Sequence, residues 1–315
     1  MKVGEIKTVG ITGAGLMGHG IAQVFGTKGY KINLYDKDHE VLKNALNRIR
    51  KNLQAFRELK LSKGADAERC LRNIHLCRDV SDLCRGVDVV IEAVSENAKV
   101  KQSVFAELER FASREAILCT NTSGIRIGKI SENLQFKDRV VGTHFWNPPH
   151  IVPCVEVIKS EFTSEEAFQT IADLMKKAGK EPIRVLKDIP GFLGNRLQNA
   201  LFREALSLCQ RGVADPEDID RVVKYGFGSR LPFIGPFETM DLAGHDLGYE
   251  VQKYLFPELC SDLKPLNVLK RMVHDGTLGI KTGKGFYEWT DAKIRKVMNR
   301  RDVGLLELIK LRKKL

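Results

Sequence analysis

At 315 residues, 43% hydrophobic and 29% charged, the chain has the composition of a globular protein of about two domains, not of a disordered or fibrous one. No stretch approaches the roughly 18 uninterrupted apolar residues of a membrane span, and the opening MKVGEIKTVG lacks the apolar core of a secretory signal, so a soluble, cytoplasmic protein is expected. A net charge of +11 fits an anionic substrate or surface, but the basic run from Lys43 to Lys63 is not interleaved with aromatics in the manner of a nucleic-acid site, and no such partner is expected.

In chain order, KTVGIT reads as a strand, LMGHGIAQVFGTKG as a helix and KINLYD as a second strand. A polar, basic helix follows over about residues 38 to 60, and another after the break at LSKGAD. VDVVIEAV, AILCTNTS and RVVGTHF then read as strands, with the amphipathic helix NAKVKQSVFAELERFA after the first of them. Alternation of this kind predicts a doubly wound, Rossmann-type α/β sheet. Beyond KDIPG the pattern turns helical, which places a boundary between a nucleotide-binding domain, residues 1–188, and an all-helical domain, residues 189–315. The last 25 residues carry nine Lys or Arg against three acids, and Ile294, Val297, Leu305, Leu308 and Ile309 keep a helical period, so a packed terminal helix with a solvated basic face is expected.

Seven cysteines, an odd number without a CxxC pair, argue for reduced thiols and against a disulfide framework or a metal site; the even spacing of Cys70, Cys77 and Cys84 is read as coincidence.

GITGAGLMGHG places Gly13, Gly15 and Gly18 as GxGxxG between the first strand and the first helix. Glycine serves a tight turn, close approach to a pyrophosphate, and close packing of helix on strand. Asp36 ends the second strand eighteen residues past Gly18, where an acid accepts the ribose hydroxyls and repels a 2′-phosphate; the expected cofactor is NAD. His19 is expected as an exposed helix residue. Further on, THFWNPPHIVPCVEV carries His144 at a strand end and Glu156 twelve residues later, past a loop long enough to return antiparallel. A neutral histidine oriented by a carboxylate suits removal of a hydroxyl proton.

The runs GAGLMGHGIAQVF, VIEAVSENAKVKQSVFAELE, NTSGI, HFWNP with VEVI, KDIPGFLGNRL, EDIDRVVKYGFG, GPFETMDLAG and GIKTGKGFYEW together resemble the L-3-hydroxyacyl-CoA dehydrogenase family, in order and over nearly the whole chain. The resemblance implies His144 as general base, Glu156 as its orienting partner, and Ser123 and Asn195 at the substrate oxygen. It implies cofactor contacts from Gly13, Gly15, Leu16, Met17, Gly18, Asp36, Glu96, Lys101, Asn121 and Asn147. It also implies a homodimer and a CoA ester docked on the basic helix bearing Lys43, Arg48, Arg50, Lys51, Arg57, Lys60 and Lys63.

Two departures point elsewhere. The corner reads FWNPPH where fatty-acyl members have a phenylalanine pair, and GFGSRLPFIGPFE is longer, with Arg230 as a possible carboxylate clamp. Both are more similar to relatives that act on small free hydroxy acids or alcohols, the gulonate and pyridine-carboxylate dehydrogenases. A non-catalytic NAD-binding or structural protein, as in crystallin relatives, is a third reading.

Overall fold

The computed structural model describes residues 2–59, 64–312 and 314. Its centre is an eight-stranded sheet: β1 (Thr8–Thr12), β2 (Lys31–Tyr35), β3 (Ile74–Leu76), β4 (Val89–Glu92), β5 (Ile117–Thr120), β6 (Val140–Phe145), β7 (Cys154–Ile158) and β8 (Glu181–Val185). The strand order is β3-β2-β1-β4-β5-β6-β7-β8, parallel throughout except that β7 runs antiparallel to β6. The expected doubly wound fold is therefore present, with one reversal that sets His144 opposite Glu156 in register.

Helices cover both faces: α1 (Gly18–Thr27), α2 (His39–Glu58), α3 (Gly64–Arg72), α4 (Val80–Leu83), α5 (Ala98–Phe111), α6 (Ile127–Ser131) and α7 (Glu165–Lys177). Because helices lie on each side, β4 and β5 are buried on both faces and read as continuous apolar runs. α2 shows how sequence becomes packing. Asp38 caps its first turn by accepting the Glu40 and Val41 N–H groups, and Leu42, Ala45, Ile49 and Leu53 fall on one stripe that is buried. Each fully buried large side chain, such as Phe25, Phe105 or Phe168, contributes about 1.5–3 kcal/mol by leaving water. The edge strand β8 carries Pro182, which a central strand would not tolerate.

The remaining helices are α8 (Gly194–Gln210), α9 (Pro216–Tyr225), α10 (Pro236–Ala243), α11 (His245–Leu255), α12 (Asn267–His274) and α13 (Asp291–Arg312). Two compact units result: residues 1–195 with 301–315, and residues 196–300. In the second, no residue of α9, α10, α11 or α12 is buried, and Tyr225, Phe237, Leu242 and Leu263 are each about four-fifths exposed or more. In α13 the buried residue is Leu306, not one of the five expected from the helical period, and Leu305, Leu308 and Ile309 flank it half-buried.

Candidate active site

The three glycines of the first loop do three different jobs. Gly13 has φ of +92°, and a Cβ there would lie 2.6 Å from the Ala93 carbonyl oxygen, so only glycine makes this turn. A Cβ on Gly18 would collide with the Gly13 carbonyl at 1.6 Å, so its absence lets α1 start hard against β1. Nothing lies within 4 Å of the Gly15 position, the open side where a pyrophosphate can reach backbone. Asp36 accepts the Ala14 N–H at Oδ2 (2.7 Å) and the Asp38 N–H at Oδ1 (2.9 Å), and each carboxylate oxygen keeps acceptor capacity. These residues fit a dinucleotide. Leu16 is exposed and Met17 half-buried at the mouth of α1. His19 departs from expectation: it is buried, with Nδ1 2.6 Å from the Gly15 carbonyl oxygen, and burial pulls it below the usual histidine range. It braces the loop because the tight turn folds that carbonyl back onto the ring.

At the ends of β4 and β5 stands a buried polar chain. Glu92, wholly buried, accepts Lys101 Nζ, the Thr120 hydroxyl and the Val94 N–H, each at 2.7 Å. Lys101, equally buried, lies 3.4 Å from Glu96. Glu96 in turn accepts the Thr122 hydroxyl (2.6 Å) and the Ser123 N–H (2.9 Å). The loop that presents Ser123 is thus tied to a buried ion pair. Sequence reasoning passed over Glu92, though an acid closing the apolar run VVIE was a usable signal. Asn121 is buried and accepts the Phe145 N–H through Oδ1 (2.8 Å), joining the ends of β5 and β6.

His144 and Glu156 meet as expected, Nδ1 to Oε2 at 2.7 Å, both buried. An ionised carboxylate only accepts, so the imidazole proton sits on Nδ1 and Nε2 is left as the acceptor. No described residue hydrogen-bonds Nε2. The other carboxylate oxygen of Glu156 accepts the N–H groups of Leu193 and Gly194, each at 2.9 Å. Burial pushes Glu156 up, but the bonds from His144, Gly194 and Leu193 outweigh it and hold the carboxyl below its ordinary value. Those N–H groups are presented by a turn in which Phe192 adopts φ of +49°, an uncommon conformation for a buried aromatic residue. Gly194 is required there because a Cβ would lie 2.2 Å from the Trp146 ring. The next residue, Asn195, donates its Nδ2 to the Ser123 carbonyl (2.5 Å). His144, Glu156, Ser123, Asn195, Glu96 and Lys101 therefore form one connected cluster inside the first unit; Asn147 is exposed beside it on the β6–β7 corner.

Arg230 is exposed after a single 3-10 turn. Lys43, Arg48, Arg50, Lys51 and Arg57 are exposed on the outer face of α2, while Lys60 and Lys63 lie outside the described residues. All seven cysteines are free. Among the described residues, His75, Cys77 and Asp82 bring ligand-type atoms within 4.8 Å of one another, but Asp82 already faces the guanidinium groups of Arg78 and Arg85, which leaves little charge for a cation. No described helix is long and apolar enough to cross a membrane.

A glycine cradle at the carboxyl edge of a doubly wound sheet, with an acid closing the second strand, defines an NAD-dependent oxidoreductase. The profile described as 3-hydroxyacyl-CoA dehydrogenase, NAD binding domain, matches residues 8–189, and that of the 3-hydroxyacyl-CoA dehydrogenase C-terminal domain matches residues 191–289. The chain belongs to the 3-hydroxyacyl-CoA dehydrogenase family. It is 35% identical over 288 residues to the 5-formyl-3-hydroxy-2-methylpyridine 4-carboxylate 5-dehydrogenase of Mesorhizobium japonicum, covering 90% of this chain and 91% of the relative. It is likewise 35% identical over 291 residues to human mitochondrial hydroxyacyl-coenzyme A dehydrogenase, with the same coverage. A crystal structure of a 5-formyl-3-hydroxy-2-methylpyridine 4-carboxylic acid 5-dehydrogenase, an NAD+-dependent dismutase, superposes with TM-score 0.91 at 32% identity, over 97% of this chain and 98% of that one.

Proposed function

We propose that this enzyme interconverts a short-chain 3-hydroxyacyl-CoA, of the 3-hydroxybutyryl type, and its 3-oxo counterpart. The observation that carries the reading is the buried His144–Glu156 pair, with an unpartnered Nε2, joined through Leu193, Gly194 and Asn195 to Ser123. NAD, when bound, supplies the hydride acceptor. His144 Nε2 takes the substrate hydroxyl proton, and Glu156 stabilises the imidazolium that results. Ser123 and Asn195, held by Glu96 and by each other, bond the oxygen where negative charge develops in the reverse direction. Glu96 and Asn147 line the nicotinamide side, with Lys101 buried behind Glu96 rather than in contact with cofactor as the resemblance implied, and the exposed basic face of α2 receives the CoA phosphates.

Asp36 binds the adenine ribose. Asp36→Ala removes a charged acceptor worth about 1.5–3 kcal/mol, so Kd for NAD should rise roughly tenfold or more while NADP is affected less. Equal loss of both cofactors would confine Asp36 to its tether on Ala14.

A second reading, the same chemistry on a small free hydroxy acid or alcohol, has its own support. A superposition spanning 97% of this chain enters the final helix, beyond residue 289 where the family profile ends, and that neighbour's name is a pyridine carboxylate. NADH oxidation with acetoacetyl-CoA against free acetoacetate and other free 3-oxo acids separates the two. Turnover confined to the thioester is the expected result; turnover confined to free acids moves the assignment to the second reading.

The apolar face left open on α9 to α12 supports assembly with a second copy of the chain. Sedimentation at assay concentration, giving a dimer mass, checks it; a monomer mass overturns it.

A further inference from the structure

We propose that Lys180 is a positioning residue for the reaction: its buried ammonium grips the corner between β6 and β7 by two backbone carbonyls, and so sets where His144 and Asn147 stand. The proposal rests on the assignment of His144 and Glu156 as the reacting pair.

Lys180 immediately precedes β8 and is buried. Its Nζ donates to the carbonyl oxygens of Pro149 and, at 2.8 Å, Val152. Both acceptors lie in the segment that leaves His144 and returns to Glu156, and no other cation among the described residues bonds it. The corner also packs against α1, where a Cβ on Gly20 would come within 2.7 Å of the Pro149 ring. The corner thus touches both a helix that starts at the cofactor loop and the Lys180 ammonium. Behind the clamp is a cavity of about 580 Å³ lined by Gln23, Phe56, Arg69, His150, Lys180 and Ile309. Without the ammonium, those carbonyls lose their charged donor, and the corner, whose His150, Ile151 and Pro153 border that space, would have room to shift. A displacement of about 1 Å at a reacting group costs on the order of 100-fold in rate.

The charge on this clamp is titratable. Burial lowers Lys180 to about 8, with the Cys154 thiol opposing the shift. His150, on the corner, is pushed down to about 3 by burial, with His19 and Lys180 adding to the shift. His19, on α1, lies below the usual histidine range, and the Cys154 thiol is raised to about 11. Among the described residues, Lys28 just past α1, Asp66 and Arg69 from α3, and Glu181 on β8 are the further charged groups around it. Lys180 is therefore the group that changes charge on the mildly alkaline side.

Trp146 belongs to this corner, its ring centroid 5.1 Å from that of His144, and the chain has only one other tryptophan. In a Trp289→Phe background, the fluorescence of Trp146 is titrated with base in otherwise wild-type enzyme, Lys180→Met and Lys180→Arg. The expected result is an inflection at about 8 that is absent from both variants. Alongside it, kcat should fall roughly ten- to hundredfold in Lys180→Met, recover in part in Lys180→Arg, and leave NADH affinity within about twofold. An inflection that persists in Lys180→Met overturns the proposal, as does a parallel loss of melting temperature, NADH affinity and kcat. Because the fluorescence needs no turnover, failure of the His144 assignment would show separately, as activity retained in His144→Gln.

Discussion

His144→Gln is expected to lower kcat by roughly 100- to 10,000-fold, the usual contribution of a positioned general base, with NADH affinity held within about twofold. Glutamine occupies similar space and its amide can still meet Glu156, so the buried carboxylate keeps a partner. What disappears is the basic nitrogen on the far side of the ring. Steady-state kinetics and a fluorescence titration with NADH check the two halves, and undiminished turnover would remove His144 from the chemistry. The same pair predicts an acid limit to stability. Glu156 is held below its ordinary value when folded, so its stabilising contribution is complete above the unfolded-state value and is lost as pH falls through the folded one. His144→Gln leaves the carboxylate an amide donor but removes the imidazole's coulombic pull on it, so that acid loss should begin at a higher pH in the variant, read from melting temperature against pH.

Glu92→Leu is expected to be strongly destabilising. It leaves the Lys101 ammonium buried with only Glu96, at 3.4 Å and partly in water. Removing one partner of a buried pair costs about 3–5 kcal/mol, and the melting temperature should fall on the order of 10 °C. The informative experiment is the double variant Glu92→Leu with Lys101→Met. Replacing a buried ion pair by apolar side chains of similar size is often neutral, so most of the melting temperature should return. Activity should not, because Glu96 then has no fixed cation and the Thr122–Ser123 loop loses its anchor. A single variant as stable as wild type, or a double variant with both properties restored, would show that the chain from Glu92 to Ser123 does not position the site.

Much of the site could be read from residue order because its parts are local in sequence. The glycine loop, the acid at the end of β2, and the alternation of short apolar runs with amphipathic helices all lie within single strand-turn-helix units. Hydrophobic period and turn chemistry specify such units without knowledge of the rest of the chain. Even the pairing of His144 with Glu156 was accessible, since a proline-rich corner between two short apolar runs has few ways to return.

Other parts depended on which strands became neighbours. Glu92 meets Thr120 only because β4 lies beside β5. Asn195 reaches Ser123 across 72 residues of chain, and Lys180 finds its carbonyls because β8 starts level with the beginning of β7. His19, read as an exposed helix residue, is buried where α1 meets the β6–β7 corner, the His150 ring centroid 6.4 Å from its own. Sequence alone determined the sheet class and the cofactor cradle, since both follow from local periodicity and side-chain chemistry, and it set His144 across from Glu156, while their proposed role comes from the family resemblance. Tertiary structure alone decided which buried charges hold those residues in place, since a buried lysine or glutamate is tolerated only where distant backbone and side chains converge to satisfy it.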